Sequence, residues 1–260
     1  MKLFQLASLA SAVLALPADI LAPRQTCTTP RLRKDWAKAT TAVKTACLNA
    51  AVCVTKKPSR LGLANATLHD DFAYVHAVFY YQIHDFAGFL PWHRFYMQVY
   101  EKALCDCGYT GTAMYWNWVT DSAAPFKAAV WHNVTGFGGN GVQTGDNGIR
   151  LRVIDGPFKN WGPQYWNADV SPHWLSRHWS PAQNGEPELR GAAYSPAAMA
   201  EVNAKMAFDE FRAALEGGPH AVVHSSVGAG GDNRGLGDMG LQNASPSGMF
   251  PSLFKPIKLC

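Results

Sequence analysis

The chain has 260 residues, of which 48% are hydrophobic and 16% are charged. This length supports one sizeable core and is short for two ordinary domains. The net charge of +4 is diluted over the chain, and the densest basic cluster, Arg31, Arg33 and Lys34, is followed at once by Asp35. The composition therefore gives little support to nucleic-acid binding.

The N-terminus has the layout of a secretory signal. Lys2 precedes an uncharged, mostly apolar run over residues 3–16, which ends near small residues. Such a run is too short to span a bilayer as a stable helix. We therefore expect a signal peptide over residues 1–18 and a secreted, extracellular chain without a membrane anchor.

Export favours disulfide bonds over free thiols, because the destination is oxidising. Six cysteines allow fifteen pairings, and the sequence does not choose among them. They are Cys27, Cys47, Cys53, Cys105, Cys107 and Cys260. Sequons at Asn65, Asn133 and Asn243 are consistent with a secreted glycoprotein.

Helical periodicity of the apolar residues recurs along the chain. It predicts helices over residues 30–54, 68–83, 91–108 and 196–215. Residues 111–190 are rich in Gly, Pro, Asn and Trp, and predict long irregular connections. The pair Gly217 and Gly218 should break the last helix, after which Pro219 can start another.

Five histidines form two groups that suggest a metal site. His220 and His224 are four residues apart, so a helix would project both imidazoles from one face. Two surface histidines on an ordinary helix would have the same spacing. A zinc protease helix would need a glutamate after the first histidine, and Ala221 stands there instead.

The other group lies in a strongly aromatic segment that contains His84 and His93. Imidazoles in apolar surroundings suit copper. One or both of these histidines could instead simply fill a core.

The residues around His84 and His93 resemble a family signature. His84, the stretch Phe89–Arg94, Met97 and Glu101 are similar to the first-copper signature of the tyrosinase and catechol oxidase family. Further stretches resemble short secreted fungal members of that family. These are Arg33–Trp36, Tyr115–Trp118, Thr135–Gly141 and Leu215–Gly231. The resemblance extends to Met249, and implies a tyrosinase-like copper-binding domain over residues 26–260.

The resemblance implies an all-α fold, an antiparallel helix bundle with long irregular loops, in which three histidines hold each of two copper ions. By position, His76, His84 and His93 would hold the first ion. His220 and His224 would supply two ligands to the second. His76 is preferred to His69, because it precedes His84 by the spacing of the family pattern. Arg94 and Glu101 match the signature and are assigned to packing around the ligands.

The resemblance breaks at the C-terminus. Family members continue with a segment similar to SPxDPxFxxHHxxxD, whose second histidine completes the other copper site on a fourth core helix. In this chain the expected ligand falls on Lys255, which is protonated near neutral pH. The fourth helix and the sixth ligand are therefore expected to be missing. Either the product or gene model is truncated, for example by an unspliced intron beginning near Gly248, or catalysis has been lost.

The implied activity is that of a copper-dependent oxidoreductase. It would oxidise o-diphenols or o-aminophenols to quinones with dioxygen. Monophenols are a further substrate class that the resemblance allows. Ala221 replaces the asparagine associated with phenol hydroxylation in several tyrosinases, which favours diphenols or aminophenols. Gln82 stands where some members carry a cysteine cross-linked to the histidine, so no thioether is expected there. The alternatives are a noncatalytic copper-binding glycoprotein and a secreted zinc hydrolase.

Overall fold

The computed structural model describes residues 31–180, 189–228 and 237–240. Helices dominate this part of the chain: α1 (Thr41–Val54), α2 (Leu68–Val78), α3 (Tyr80–Ile83), α4 (Phe89–Cys105), α5 (Trp118–Asp121), α6 (Pro196–Asn203), α7 (Phe208–Leu215) and α8 (Ala221–Gly228). The strands are β1 (Tyr165–Trp166) and β2 (Asp169–Val170), which form an antiparallel hairpin. The predicted all-α class is confirmed. The predicted signal peptide, and the segment in which the fourth core helix was expected to be missing, lie outside the described residues.

Helices α1 and α4 pack against each other and form one side of the core. The small side chains of Ala50 and Ala51 are buried on α1, and the larger Met97 and Leu104 are buried on α4. A disulfide joins Cys53, near the end of α1, to Cys107, just beyond α4. Three of the fifteen complete pairings of six cysteines contain this bridge. Among the described cysteines, Cys47 is a buried thiol and Cys105 an exposed one.

Helix α2 begins at a reciprocal cap. The backbone N–H of Thr67 donates to Asp70 Oδ2 at 2.8 Å, and the Thr67 hydroxyl accepts from the Asp70 N–H. Such a cap satisfies two N–H groups that a helix start leaves without partners. The predicted helix over residues 68–83 is divided at Phe79, whose ψ of 6° departs from helical geometry. The chain then turns sharply at Asp85, which has a φ of +62°.

The middle of the chain is irregular, as predicted, and Arg177 organises part of it. Its fully buried guanidinium donates to the carbonyls of Phe137 at 3.2 Å and Gly138 at 2.6 Å, and it also bonds the Gly139 carbonyl. It lies 5.0 Å from the centre of the Trp131 ring. The Arg177 guanidinium therefore supplies hydrogen-bond donors to loop carbonyls that have no regular secondary structure to pair them.

The predicted helix over residues 196–215 is two helices, because α6 ends at Asn203 and α7 begins at Phe208. The regular helix does break at Gly217 and Gly218, as predicted, but the chain does not leave helical structure there. Residues Glu216–His220 make a wide, π-type turn in which Gly218 has a non-helical ψ of −108°. Pro219 cannot donate an N–H to a regular helix, and the wide turn avoids that requirement. The turn leads directly into α8.

No helix in the described ranges combines the length and apolar character that a membrane crossing requires.

Candidate metal centre

Three histidines from three helical elements meet in the core. His76 lies on α2, His84 directly follows α3, and His93 lies on α4. One ring nitrogen from each lies within 4.8 Å of the others. The Nε2 atoms of His76 and His93 are 3.4 Å apart. All three side chains are buried. His69, the alternative to His76, is also buried but lies against Trp161, with ring centres 4.2 Å apart.

A second pair of histidines faces this triad. His220 ends the wide turn and His224 lies one turn further on, in α8, with ring centres 4.6 Å apart. The ring of His220 lies 5.8 Å from that of His84 and 6.1 Å from that of His93. The structure therefore brings all five predicted histidines to one buried region, although they are up to 148 positions apart in the chain.

Four of these histidines are oriented by backbone carbonyls through Nδ1. The acceptors of His84, His93, His220 and His224 are, in that order, the carbonyl oxygens of Tyr80 (2.9 Å), Phe89 (2.8 Å), Glu216 (3.2 Å) and Met239 (3.0 Å). A carbonyl oxygen can only accept, so each Nδ1 carries the proton. The lone pair of each neutral ring is then on Nε2, the atom that remains for a metal.

The Nε2 atoms of His84 and His220 are buried, and no hydrogen bond to the described residues satisfies them. A buried polar nitrogen without a partner is costly. Metal ions held by the two groups of histidines would remove that cost. Neutral imidazoles in apolar surroundings are a donor set that suits copper. The residues present therefore fit the copper centre that the sequence predicts.

Burial keeps three of these imidazoles, those of His93, His220 and His224, in the neutral form. It lowers the pKa of His93 to about 3, and the neighbouring His84 and His224 act in the same direction. Burial also lowers the pKa of His224 to about 4 and that of His220 well below its usual value. Hydrogen bonds to the backbone oppose these shifts without reversing them. At neutral pH these three rings are in the form that can ligate a metal.

Aromatic side chains exclude water from the region. The Phe89 ring is buried, and its centre is 4.6 Å from that of His93 and 4.9 Å from that of His220. Trp92 stacks on Tyr96 at 4.7 Å. Sequence reasoning placed Phe89 in the signature but missed its contact with both groups. Its position four residues before His93 was the available signal.

Glu216 links the two groups and was also missed. Its carboxylate accepts the backbone N–H of Asp85 at 2.8 Å, next to His84, and pairs with Arg212 at 2.6 Å. Its own carbonyl orients His220. Glu101, which the sequence assigned to packing, accepts the Ala113 N–H at 2.9 Å and is fully buried.

A helical fold around a buried cluster of histidines is typical of helix-bundle proteins that hold a metal centre. The chain belongs to the tyrosinase family: the family model for the common central domain of tyrosinase matches residues 66–249. This membership supports a copper-binding oxidoreductase.

Two fungal relatives show the extent of the similarity. The tyrosinase-like protein phomQ1 of Diaporthe leptostromiformis is 34% identical over 215 residues, which cover 77% of this chain and 55% of that protein. Tyrosinase ustQ of Aspergillus flavus is 32% identical over 204 residues, covering 77% of this chain and 56% of that protein. The chain thus spans about half the length of these relatives.

Among solved structures, a polyphenol oxidase variant from Thermothelomyces thermophila is similar, with a TM-score of 0.70 and 24% identity. The match covers 86% of this chain and 68% of that chain. At this identity, the likeness supports the fold.

Proposed function

We propose that the chain is a copper-dependent oxidase of phenols, which converts o-diphenols or o-aminophenols to quinones with dioxygen. His76, His84 and His93 would hold one copper ion, and His220 and His224 would contribute to the second. The observation that carries the proposal is the set of buried imidazoles that meet from separate helices, in a chain of the tyrosinase family.

When bound, the copper ions would supply electron transfer between the phenol and dioxygen. Two diphenols each lose two electrons and two protons, and one dioxygen takes them up to form two water molecules. The carbonyls that accept from Nδ1 of His84, His93 and His220 leave Nε2 as the nitrogen that would bind the metal. Phe89 lies between the two groups and keeps the region apolar. A site prepared in this way needs little rearrangement during the reaction.

The second ion would be the more weakly held of the two. Among the described residues, two histidines face it, whereas three face the first. Position 255, where the family pattern places a further ligand, lies outside the described residues. The affinity for the second ion therefore determines how much oxidase activity this form can have.

Ala221 supports diphenols over monophenols as substrates. It follows His220, where its methyl group can neither accept a proton nor orient a water molecule. A monophenol must lose its proton before it can be hydroxylated, whereas a diphenol only has to be oxidised. We also propose export, because residues 1–18 have the signal layout, and Asn65 and Asn133 of the sequons are exposed.

The test is copper content and oxygen uptake on the full chain. Elemental analysis gives copper per chain, and an oxygen electrode follows oxidation of 4-tert-butylcatechol. We expect copper binding and catechol-dependent oxygen uptake in the wild type, and in His93→Gln less copper per chain and no oxygen uptake. His132→Gln is the matched control, since His132 is exposed and, among the described residues, its side chain bonds Val134 and Thr135 only.

The outcomes separate the candidate functions. Copper binding without oxygen uptake would replace the oxidase with a noncatalytic copper-binding protein. A wild type that takes up no copper, or a His93→Gln variant that behaves like the control, would overturn the ligand assignment. Retention of zinc with hydrolysis of a test substrate would favour a zinc hydrolase instead.

A further inference from the structure

His224 is the one carbonyl-oriented histidine of the four whose acceptor is distant in sequence. Its Nδ1 donates to the carbonyl of Met239, fifteen residues later, at 3.0 Å. His84, His93 and His220 each donate to a carbonyl four residues earlier. The orientation of His224 therefore depends on how residues 237–240 are held in place.

Asp238 anchors this segment through three hydrogen bonds. Its Oδ1 accepts from His173 Nε2 at 2.9 Å, and its Oδ2 accepts from the Ser176 N–H at 2.6 Å. Its own N–H donates to the Ser176 carbonyl at 3.0 Å. Asp238 is buried, so these contacts are shielded from water. A distant loop thus fixes the residue next to Met239.

His173 is doubly held. Its Nδ1 faces the Ser171 carbonyl at 2.6 Å, and its Nε2 faces the Asp238 carboxylate. Both neighbours are acceptors, so both ring nitrogens carry protons. Burial lowers the pKa of His173, but the charge and hydrogen bond of Asp238, together with the Ser171 carbonyl, outweigh it and raise the pKa. The short contact and the raised pKa of His173 both favour an ion pair between His173 and Asp238.

The end of α8 sets how closely the segment can approach. The Gly237 N–H donates to the Gly228 carbonyl at 2.6 Å. A Cβ added to Gly228 would lie 2.2 Å from the Met239 carbonyl carbon. Only glycine at position 228 permits this approach, and it brings the Met239 carbonyl to His224. Backbone packing and the ion pair thus act on the same carbonyl group.

We propose that Asp238 and His173 form a positioning clamp, which holds the Met239 carbonyl on His224 Nδ1 and so directs His224 Nε2 at the second copper ion. The inference rests on the proposed function, in which His224 ligates copper. Without the clamp, the Met239 carbonyl moves away and the His224 proton can occupy either nitrogen. Rings protonated on Nε2 cannot bind the metal through that atom.

The experiment compares Asp238→Ala and His173→Gln with the wild type, in the full chain. Nitrogen NMR of the copper-free protein reads the tautomer of His224. Titration with copper reads the affinity for each ion. Asn147→Ala is the matched control, because Asn147 bonds Trp174 and the Ser176 hydroxyl in the same loop, without an observed hydrogen bond to Asp238.

We expect His224 to carry its proton on Nδ1 in the wild type and to become a mixture in Asp238→Ala. Affinity for the second copper should fall by about 10–100-fold, as when partners of other metal-bound histidines are removed, while affinity for the first ion is kept. His173→Gln should show a smaller change, because the glutamine amide can still donate to Asp238. If Asp238→Ala does not fold, the tautomer of His224 in His173→Gln still tests the clamp.

An unchanged tautomer in both variants, or an equal change in Asn147→Ala, would overturn the clamp. If the tautomer changes as expected but the wild type binds no second copper, the clamp stands and the proposed copper function fails. The two hypotheses can therefore be separated by the same set of proteins.

Discussion

Acidification should strongly destabilise the copper-free protein. Burial lowers the pKa of His93 to about 3 and the pKa values of His69 and His224 to about 4. In the unfolded chain each histidine returns to a pKa near 6.5. Between these values the unfolded chain binds a proton and the folded chain does not. The contribution of these histidines to the free energy of unfolding is therefore fully present above pH 6.5, and it falls as the pH decreases below that value.

The magnitude follows from proton linkage. One pKa unit corresponds to about 1.4 kcal/mol, so acidification from pH 6.5 to pH 5 costs about 2 kcal/mol for each histidine. His69, His93 and His224 together cost about 6 kcal/mol, which is comparable to the whole stability of many domains. His220, whose pKa is also lowered, adds to this loss. His173 opposes it, because its raised pKa favours the folded state at acid pH.

Urea unfolding at a series of pH values tests this prediction on the copper-free chain. His69→Gln should reduce the acid-dependent loss by about 2 kcal/mol, since it removes one titrating group. Copper should protect His93 and His224, because a metal-bound nitrogen cannot take up a proton. It should leave the contribution of His69 in place. A free energy of unfolding that is constant from pH 6.5 to pH 5 would refute the reasoning.

Three further changes have defined outcomes. Replacing both Cys53 and Cys107 with serine opens a loop of 54 residues and should cost about 4 kcal/mol, measured by thermal unfolding; a loss below about 1 kcal/mol would contradict the loop argument. Glu101→Ala leaves the buried Arg33, 3.7 Å away, without this carboxylate, and should cost about 3–5 kcal/mol in urea unfolding, with Glu101→Gln losing less. Thr67→Ala removes the cap of α2 and should cost about 1 kcal/mol while copper binding is kept; loss of copper would show that the cap also positions the site.

The sequence predicted the parts of the fold that depend on local periodicity. The helical class and the adjacency of His220 and His224 follow from spacing along a helix, and both are present. The boundaries were less accurate. Phe79 interrupts a continuous apolar pattern, because the chain must turn there to bring His84 back to His76, and that requirement is tertiary.

The contacts between distant loops could not be predicted. Arg177 is one of four arginines in the irregular stretch over residues 111–190, and nothing in its neighbourhood specifies the carbonyls of residues 137–139. The same is true of the pairing of Asp238 with His173, across 65 positions. Charged side chains in loops are usually exposed, so their burial becomes visible only when the backbone around them is known.

The carbonyl acceptors imply an order of assembly. His84, His93 and His220 find their acceptors within one turn, so their ring orientations are established as soon as that backbone forms. His224 must wait until residues from far along the chain have docked. We therefore expect the rings of His84, His93 and His220 to be oriented before that of His224 during folding. A partly folded chain would meet copper with His224 still lacking its carbonyl acceptor, so a fully prepared second group of histidines would report that residues 237–240 have docked.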